Sequence, residues 1–214
     1  MPQPLYAITI SHQLGAGGTL VGQALAERLG IPFFDREILR RVSEQLHMAE
    51  ADLAHREERL SSIWDSLLRV SALIDPAQVK IVERYVPSDQ ELFRLESEMI
   101  RRIAERASAV FMGRSGRFVL RDHPRHLKLL VYADRKSRLA RLQRLYQIPK
   151  PDAERLMEDN DRERAAYIRT FTGKDWTDAR LYDLCVNTTS IGMDGAAELA
   201  MAFLQRKISD VSFD

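Results

Sequence analysis

The sequence predicts an α/β fold, a parallel five-stranded sheet covered by helices, and three observations carry that expectation. An alternating strand pattern at 5–11 leads directly into a glycine cluster and then an amphipathic helix. Short apolar runs return at 109–113, 127–133 and 182–188, separated by helical stretches. Those runs are apolar on both faces, as interior parallel strands are.

The elements follow in order. "LYAITIS" is the first strand, and "TLVGQALAERLG" (19–30) sets Val21, Ala24, Leu25 and Leu29 on one helical face before stopping at Gly30. "IPFFD" is a short second strand whose Asp35 falls at the N-cap of a helix beginning "REILRRVSEQL". From 47 to 107 the pattern is almost wholly helical, with Leu92, Leu95, Met99, Ile100 and Ile103 forming a stripe. Pro76 and Pro87 bracket its least regular part. Further helices are expected at 134–147, 151–170 and 193–207, between and after the last three strands.

With 214 residues the chain suits one well-cored domain carrying a small helical insertion. Lys plus Arg number 32 against 31 Asp plus Glu, so no bulk charge favours nucleic acid or an anionic membrane. The single cysteine, Cys185, excludes an intrachain disulfide and a cysteine-based zinc cluster, and fits a reducing cytoplasm. No apolar run approaches the ~18 residues of a membrane span, and the N-terminus has no signal-peptide pattern. A soluble, cytoplasmic protein is the expectation.

"ISHQLGAGGTLVG" (10–22) is the segment richest in chemistry. The phosphate-binding signature G-x-x-x-x-G-K-[ST] turns backbone N–H groups onto phosphate oxygens at a helix N-terminus, adds a lysine for the outer phosphates and a hydroxyl for Mg²⁺. Laid on His12 to Thr19, it keeps Gly17 and Thr19 but puts His12 at the first glycine and Gly18 at the lysine. Losing one preorganised donor costs about 2.7–4 kcal/mol, on the order of a hundred- to a thousand-fold in rate, unless another cation replaces it. A lysine restored at position 18 is expected to raise activity if charge is simply missing, and not if arginines already fill that space.

That loop, together with "VFMGRSGRFVLRDHP", "DNDRERAAY" and "FTGKDWTDARLYDLCVNTT", resembles the cytidylate kinase-like family over most of the chain. Its kinase-like branch opens the loop with a basic-polar start and a glycine-rich run, which makes Gly18 a family trait and His12 a local variation. The resemblance implies a three-layer P-loop fold of the nucleoside-monophosphate-kinase type, with the core at about 1–35 and 108–214, a helical acceptor insertion at 36–107 and a short lid at 148–176. It implies ATP and Mg²⁺ as cofactors, with His12, Gly15, Ala16, Gly17, Gly18, Thr19 and Leu20 on the donor and Thr19 as the metal ligand. Asp35, Arg40, Arg41 and Arg114 fall in acceptor-binding positions. Arg162 and Arg164 match the arginine-rich lid, Asp161 its neighbouring acid, and Arg138 a lid-side arginine. Arg162, Arg164 and Lys174 are the expected substitutes for the missing lysine, since planar arginines bind phosphate oxygens in bidentate fashion.

The expected function is therefore ATP-dependent phosphoryl transfer to a small nucleotide acceptor. "REIL" follows Asp35 where cytidylate kinases carry a small polar "SGA"-like stretch, so cytosine specificity is not implied. Two other readings stay open: a nucleotide- or anion-binding module without turnover, and a homo-oligomeric scaffold or homodimer through the insertion, using Trp64, Leu67, Leu68 and Leu73. "DHPRH" reads as a surface loop, not a metal site, and Cys185 as a small core residue. Trp176, in a polar segment, is a candidate cover for a bound ligand.

Overall fold

A computed structural model describes residues 4–35, 38, 89–113 and 116–210. Five strands form one sheet: β1 (Ala7–His12), β2 (Phe33–Phe34), β3 (Ala109–Met112), β4 (His126–Tyr132) and β5 (Leu184–Asn187). Their order is β2-β3-β1-β4-β5 and every pairing is parallel. Between and after the strands lie α1 (Gly18–Leu29), α2 (Asp89–Ala104), the single turn α3 (Gly116–Val119), α4 (Arg135–Tyr146), α5 (Lys150–Thr172) and α6 (Thr188–Asp210). The first strand is thus central, and the glycine loop leaves from the middle of the sheet's C-terminal edge, where open α/β sheets hold ligands.

Strand alternation sorts the side chains into layers. Ile8 and Ile10 of β1 and Leu127, Leu129 and Val131 of β4 pack against Val21 and Leu25 of α1 and Ala196, Ala200 and Leu204 of α6. On the other face Ala7, Ala109 and Phe111 meet Met99, Ile100 and Ile103 of α2. Leu130 faces Tyr167 and Ile168 of α5 on that side. Phe93 of α2 stacks on Phe171 of α5 with ring centroids 4.6 Å apart, which ties the two helices together.

The Asp35 carboxylate accepts from the Ile38 backbone N–H at 2.8 Å, the bond an N-cap makes, while the helix expected after it lies outside the described residues apart from Ile38. The fifth strand is shorter than the apolar run 182–188. Asp183 instead accepts from the Lys128 N–H at 2.8 Å and pairs with Lys207 at 2.7 Å, while Tyr182 turns into the core. The last helix starts earlier than 193, because a helical turn from Thr188 precedes a break at Gly192, where φ is 71°. Leu92, Leu95, Pro76, Pro87 and the insertion residues Trp64, Leu67, Leu68 and Leu73 lie outside what is described, through their side chains or entirely. Among the described residues no helix is long and apolar enough to cross a membrane.

"DHPRH" corrects one expectation: His126 is not in a surface loop but opens β4 and is buried. A strand beginning inside the sheet carries its first side chain into the core. One ring nitrogen, Nδ1, must donate to the Leu120 carbonyl at 2.7 Å, which leaves Nε2 to accept from the Thr9 hydroxyl at 2.7 Å. Burial lowers its pKa to about 4. The folded state therefore holds the ring neutral while the unfolded chain takes up a proton below pH 6.5, so this contribution is complete above 6.5 and is lost as pH falls towards 4. Thermal unfolding should show a stability loss of roughly 3 kcal/mol across that window. His126→Gln should be less stable at neutral pH and show a visibly flatter slope; an unchanged slope would contradict this role.

Candidate functional site

The loop is shaped by its glycines. Gly15 and Gly17 have φ of 80° and 81°, conformations costly for side chains with a Cβ. Gly17 serves as N-cap of α1 without any side-chain hydrogen bond to the helix, so the first N–H groups stay open to an anion. Thr19 and Leu20 are exposed on the first turn. Neighbouring elements hold the cradle from beneath. The Thr188 hydroxyl donates to the Ala16 carbonyl at 2.7 Å, Arg138 Nε donates to the Leu14 carbonyl at 2.7 Å, and Arg141 donates to the Gly15 carbonyl.

Gly18 answers the question of the missing lysine sterically. A Cβ built there would overlap His12 Cβ and lie 2.6 Å from its Cγ, so the last side chain of β1 occupies the space over the start of α1. His12 fills the place but not the charge. Burial, with Arg164 and Arg138 nearby, lowers its pKa to about 3, so the ring is neutral at physiological pH. The residue keeps some surface exposure, yet its Nδ1 is buried and has no hydrogen-bond partner among the described residues.

Charge comes from the two helices after β4. Arg138 on α4 is buried and donates to Asp161 on α5 at 2.6 Å as well as to the loop, so one guanidinium joins loop, α4 and α5. Arg164, three residues on from Asp161, is also buried, and its guanidinium lies over the Trp176 ring at 5.5 Å. Trp176 is itself buried, its carbonyl accepting from the Tyr182 hydroxyl at 2.6 Å. It is a shelf for Arg164 and not an exposed ligand cover. Leu139 and Leu142 of α4 pack on Ala153 and Met157 of α5, which fixes the two arginine-bearing helices together.

The structure thus brings His12, the glycines, Arg138, Asp161 and Arg164 into one neighbourhood. Arg162 is apart: two residues on a helix are about 200° around, and its side chain is 76% exposed, paired with Asp159 at 3.4 Å. Lys174 is exposed after the Gly173 cap. Arg40, Arg41 and Arg114 lie outside the described residues. Sequence reasoning missed Arg141 and Thr188. For Arg141 a signal existed, since Arg138, Arg141 and Arg144 recur at helical spacing of three. Thr188 had none, because a bond spanning 172 positions leaves no local trace.

The profile of the cytidylate kinase-like family matches residues 7–190. No curated protein matches the sequence. Among solved structures, an uncharacterized protein from Eubacterium ventriosum ATCC 27560 is similar at TM-score 0.69 and 21% identity, covering 94% of this chain and 98% of that one. A gluconokinase from Sinorhizobium meliloti 1021 is similar at TM-score 0.50 and 15% identity, covering 97% and 96%. These likenesses establish the shared fold.

Overlap over Gly18 makes a signed prediction. Gly→Ala inside a helix ordinarily stabilises by about 0.5–1 kcal/mol, whereas forcing a methyl into packed space costs about 1–3 kcal/mol. Gly18→Ala should destabilise the wild type and become neutral or stabilising in a His12→Gly background. Denaturant unfolding of the four proteins measures this, and additive effects would contradict it.

Proposed function

Because the chain belongs to the cytidylate kinase-like family, we propose that it transfers the γ-phosphoryl group of ATP to a small acceptor, a nucleoside monophosphate of the CMP or dCMP kind. What carries the reading is the pair of buried arginines, Arg138 and Arg164, set beside a loop whose lysine position is filled by a neutral histidine.

Phosphoryl transfer needs alignment and charge neutralisation more than covalent chemistry. Backbone N–H groups of Gly17, Gly18 and Thr19 would cradle the donor phosphates at the uncapped start of α1. Arg141 and Thr188, bonded to the loop's carbonyl oxygens, keep those N–H groups turned outward. Arg164 would carry positive charge to the outer phosphates, and Arg138 with Asp161 would set the position of α5 relative to the loop. The Thr19 hydroxyl, exposed on the first turn and in no hydrogen bond among the described residues, fits a Mg²⁺ ligand. Bound there, Mg²⁺ would supply positive charge to offset that of the donor phosphates.

The acceptor falls to the insertion at 36–107, with Asp35, Arg40, Arg41 and Arg114 as its binding residues. The segment 148–176 acts as the lid, with Arg164 on its inner side; Arg162, on the opposite side of α5, and the exposed Lys174 are left without a part in the donor contact. A cytoplasmic enzyme acting on free nucleotides, and a homodimer through the insertion, complete the proposal.

ATP consumption measured against CMP, dCMP, UMP and other small acceptors tests it. Turnover with one acceptor is expected, reduced on the order of a hundred- to a thousand-fold in Arg164→Gln. Arg155→Gln, exposed on the same helix and paired with Asp152, should leave it within about twofold. ATP affinity without turnover on any acceptor would instead favour a binding module.

A further inference from the structure

Arg117 makes no contact with the donor loop in the geometry described above. It sits on α3, just past the C-terminal end of β3, and is 4% exposed. Its guanidinium carbon is 4.3 Å from the ring centroid of Phe118 and 4.4 Å from that of Tyr182. None of its three nitrogens makes a well-aligned hydrogen bond among the described residues, although the Tyr182 oxygen is near enough to favour the charge. Rings satisfy the face of a planar cation, but its N–H edge asks for oxygens.

Nearby groups do not meet that demand. The Tyr182 oxygen and the carboxylates of Asp178 and Asp175 lie close enough to favour the charge, while burial opposes it more strongly. The two carboxylates are engaged with other partners: Asp178 holds Arg180 at 2.8 Å, and Asp175 accepts from the Thr177 hydroxyl at 2.7 Å. Tyr182 gives its proton to the Trp176 carbonyl, and its one oxygen can answer at most part of a five-donor fork. A buried charge without a counter-ion lowers stability, and an apolar residue of similar length would be no worse there.

Phe118 and Tyr182 belong to the aromatic cluster beneath α5, on the sheet face away from α1. The donor loop opens onto α1. Arg117 therefore stands at the same sheet edge as the loop but on the opposite face, where a second reactant would meet the first.

We propose that Arg117 anchors an oxyanion subsite under α5 that takes a carboxylate or phosphate group of the acceptor, bidentate, on the N–H edge the two rings leave open. The assignment to the acceptor rests on the phosphotransferase reading, whereas the subsite itself does not. Because Arg117 is enclosed, an anion reaches it only when side chains packed around it, Phe118 and Tyr182 among them, shift.

Thermal unfolding with inorganic phosphate, and separately with malonate, tests the subsite, using chloride at matched ionic strength as reference and saturating ADP to fill the donor loop. Wild type should show a saturable rise in midpoint with one of the two, which also tells phosphate from carboxylate. Arg117→Met should start at or above the wild-type midpoint, lose that rise with an anion affinity weakened about tenfold or more, and keep ADP affinity within about twofold. Should the Met variant not fold, Arg117→Lys decides, since a point charge without the fork should weaken the anion severalfold. No anion-specific rise in wild type, or a full rise in either variant, overturns the proposal. Failure of ADP to bind while the Arg117-dependent rise persists would count against the kinase reading alone.

Discussion

Only one side chain fits over the start of α1. His12, as the last residue of β1, points into the volume that a residue with a Cβ at position 18 would need, and Gly18 exists in that volume by having none. The two positions form one unit, a histidine and a glycine, in place of the glycine and lysine of the ordinary phosphate-binding signature. Since burial and two arginines keep the imidazole neutral, the exchange removes a positive charge from the loop. In the proposed function Arg138 and Arg164 restore that charge from outside the loop.

Restoring it from other helices changes what the loop depends on. A lysine in the loop is fixed as soon as the loop folds. Arg138 and Arg164 instead require α4 and α5 to be packed together and the Trp176 segment to be closed beneath the guanidinium. The Arg138–Asp161 pair links these parts, so displacement of α5 would reach the loop through the Leu14 carbonyl. The exposed ion pairs of Arg135 with Glu154 and Glu158 join the same helices but contribute little, being solvated. On the proposed reading, charge at this site depends on how two helices pack.

Much of the fold was legible in local pattern. Five strands, their parallel sense and the strand–glycine–helix start follow from apolar alternation and from helical stretches between runs. The Asp35 bond to the Ile38 N–H was legible too, from a short polar side chain following a strand. What pattern could not supply was direction. "DNDRERAAY" offers two arginines two residues apart, and only the packing face of α5 shows that Arg164 points inward and Arg162 outward. His126 read as part of the "DHPRH" loop, while its burial is decided by pairing with β1. The overlap of His12 with position 18 is likewise a distance across the loop, absent from any linear reading.

The claim that arginines from α4 and α5 replace the loop's lysine is tested most directly by a crystal structure with Mg²⁺ and a non-hydrolysable ATP analogue. The account predicts His12 still seated over Gly18, backbone N–H groups of Gly17 to Thr19 on the phosphates, and the Arg164 guanidinium within about 3 Å of an outer phosphate oxygen. Phosphates bound in the loop with Arg138 and Arg164 both remaining out of hydrogen-bond reach, or with His12 swung away and protonated against them, would contradict it.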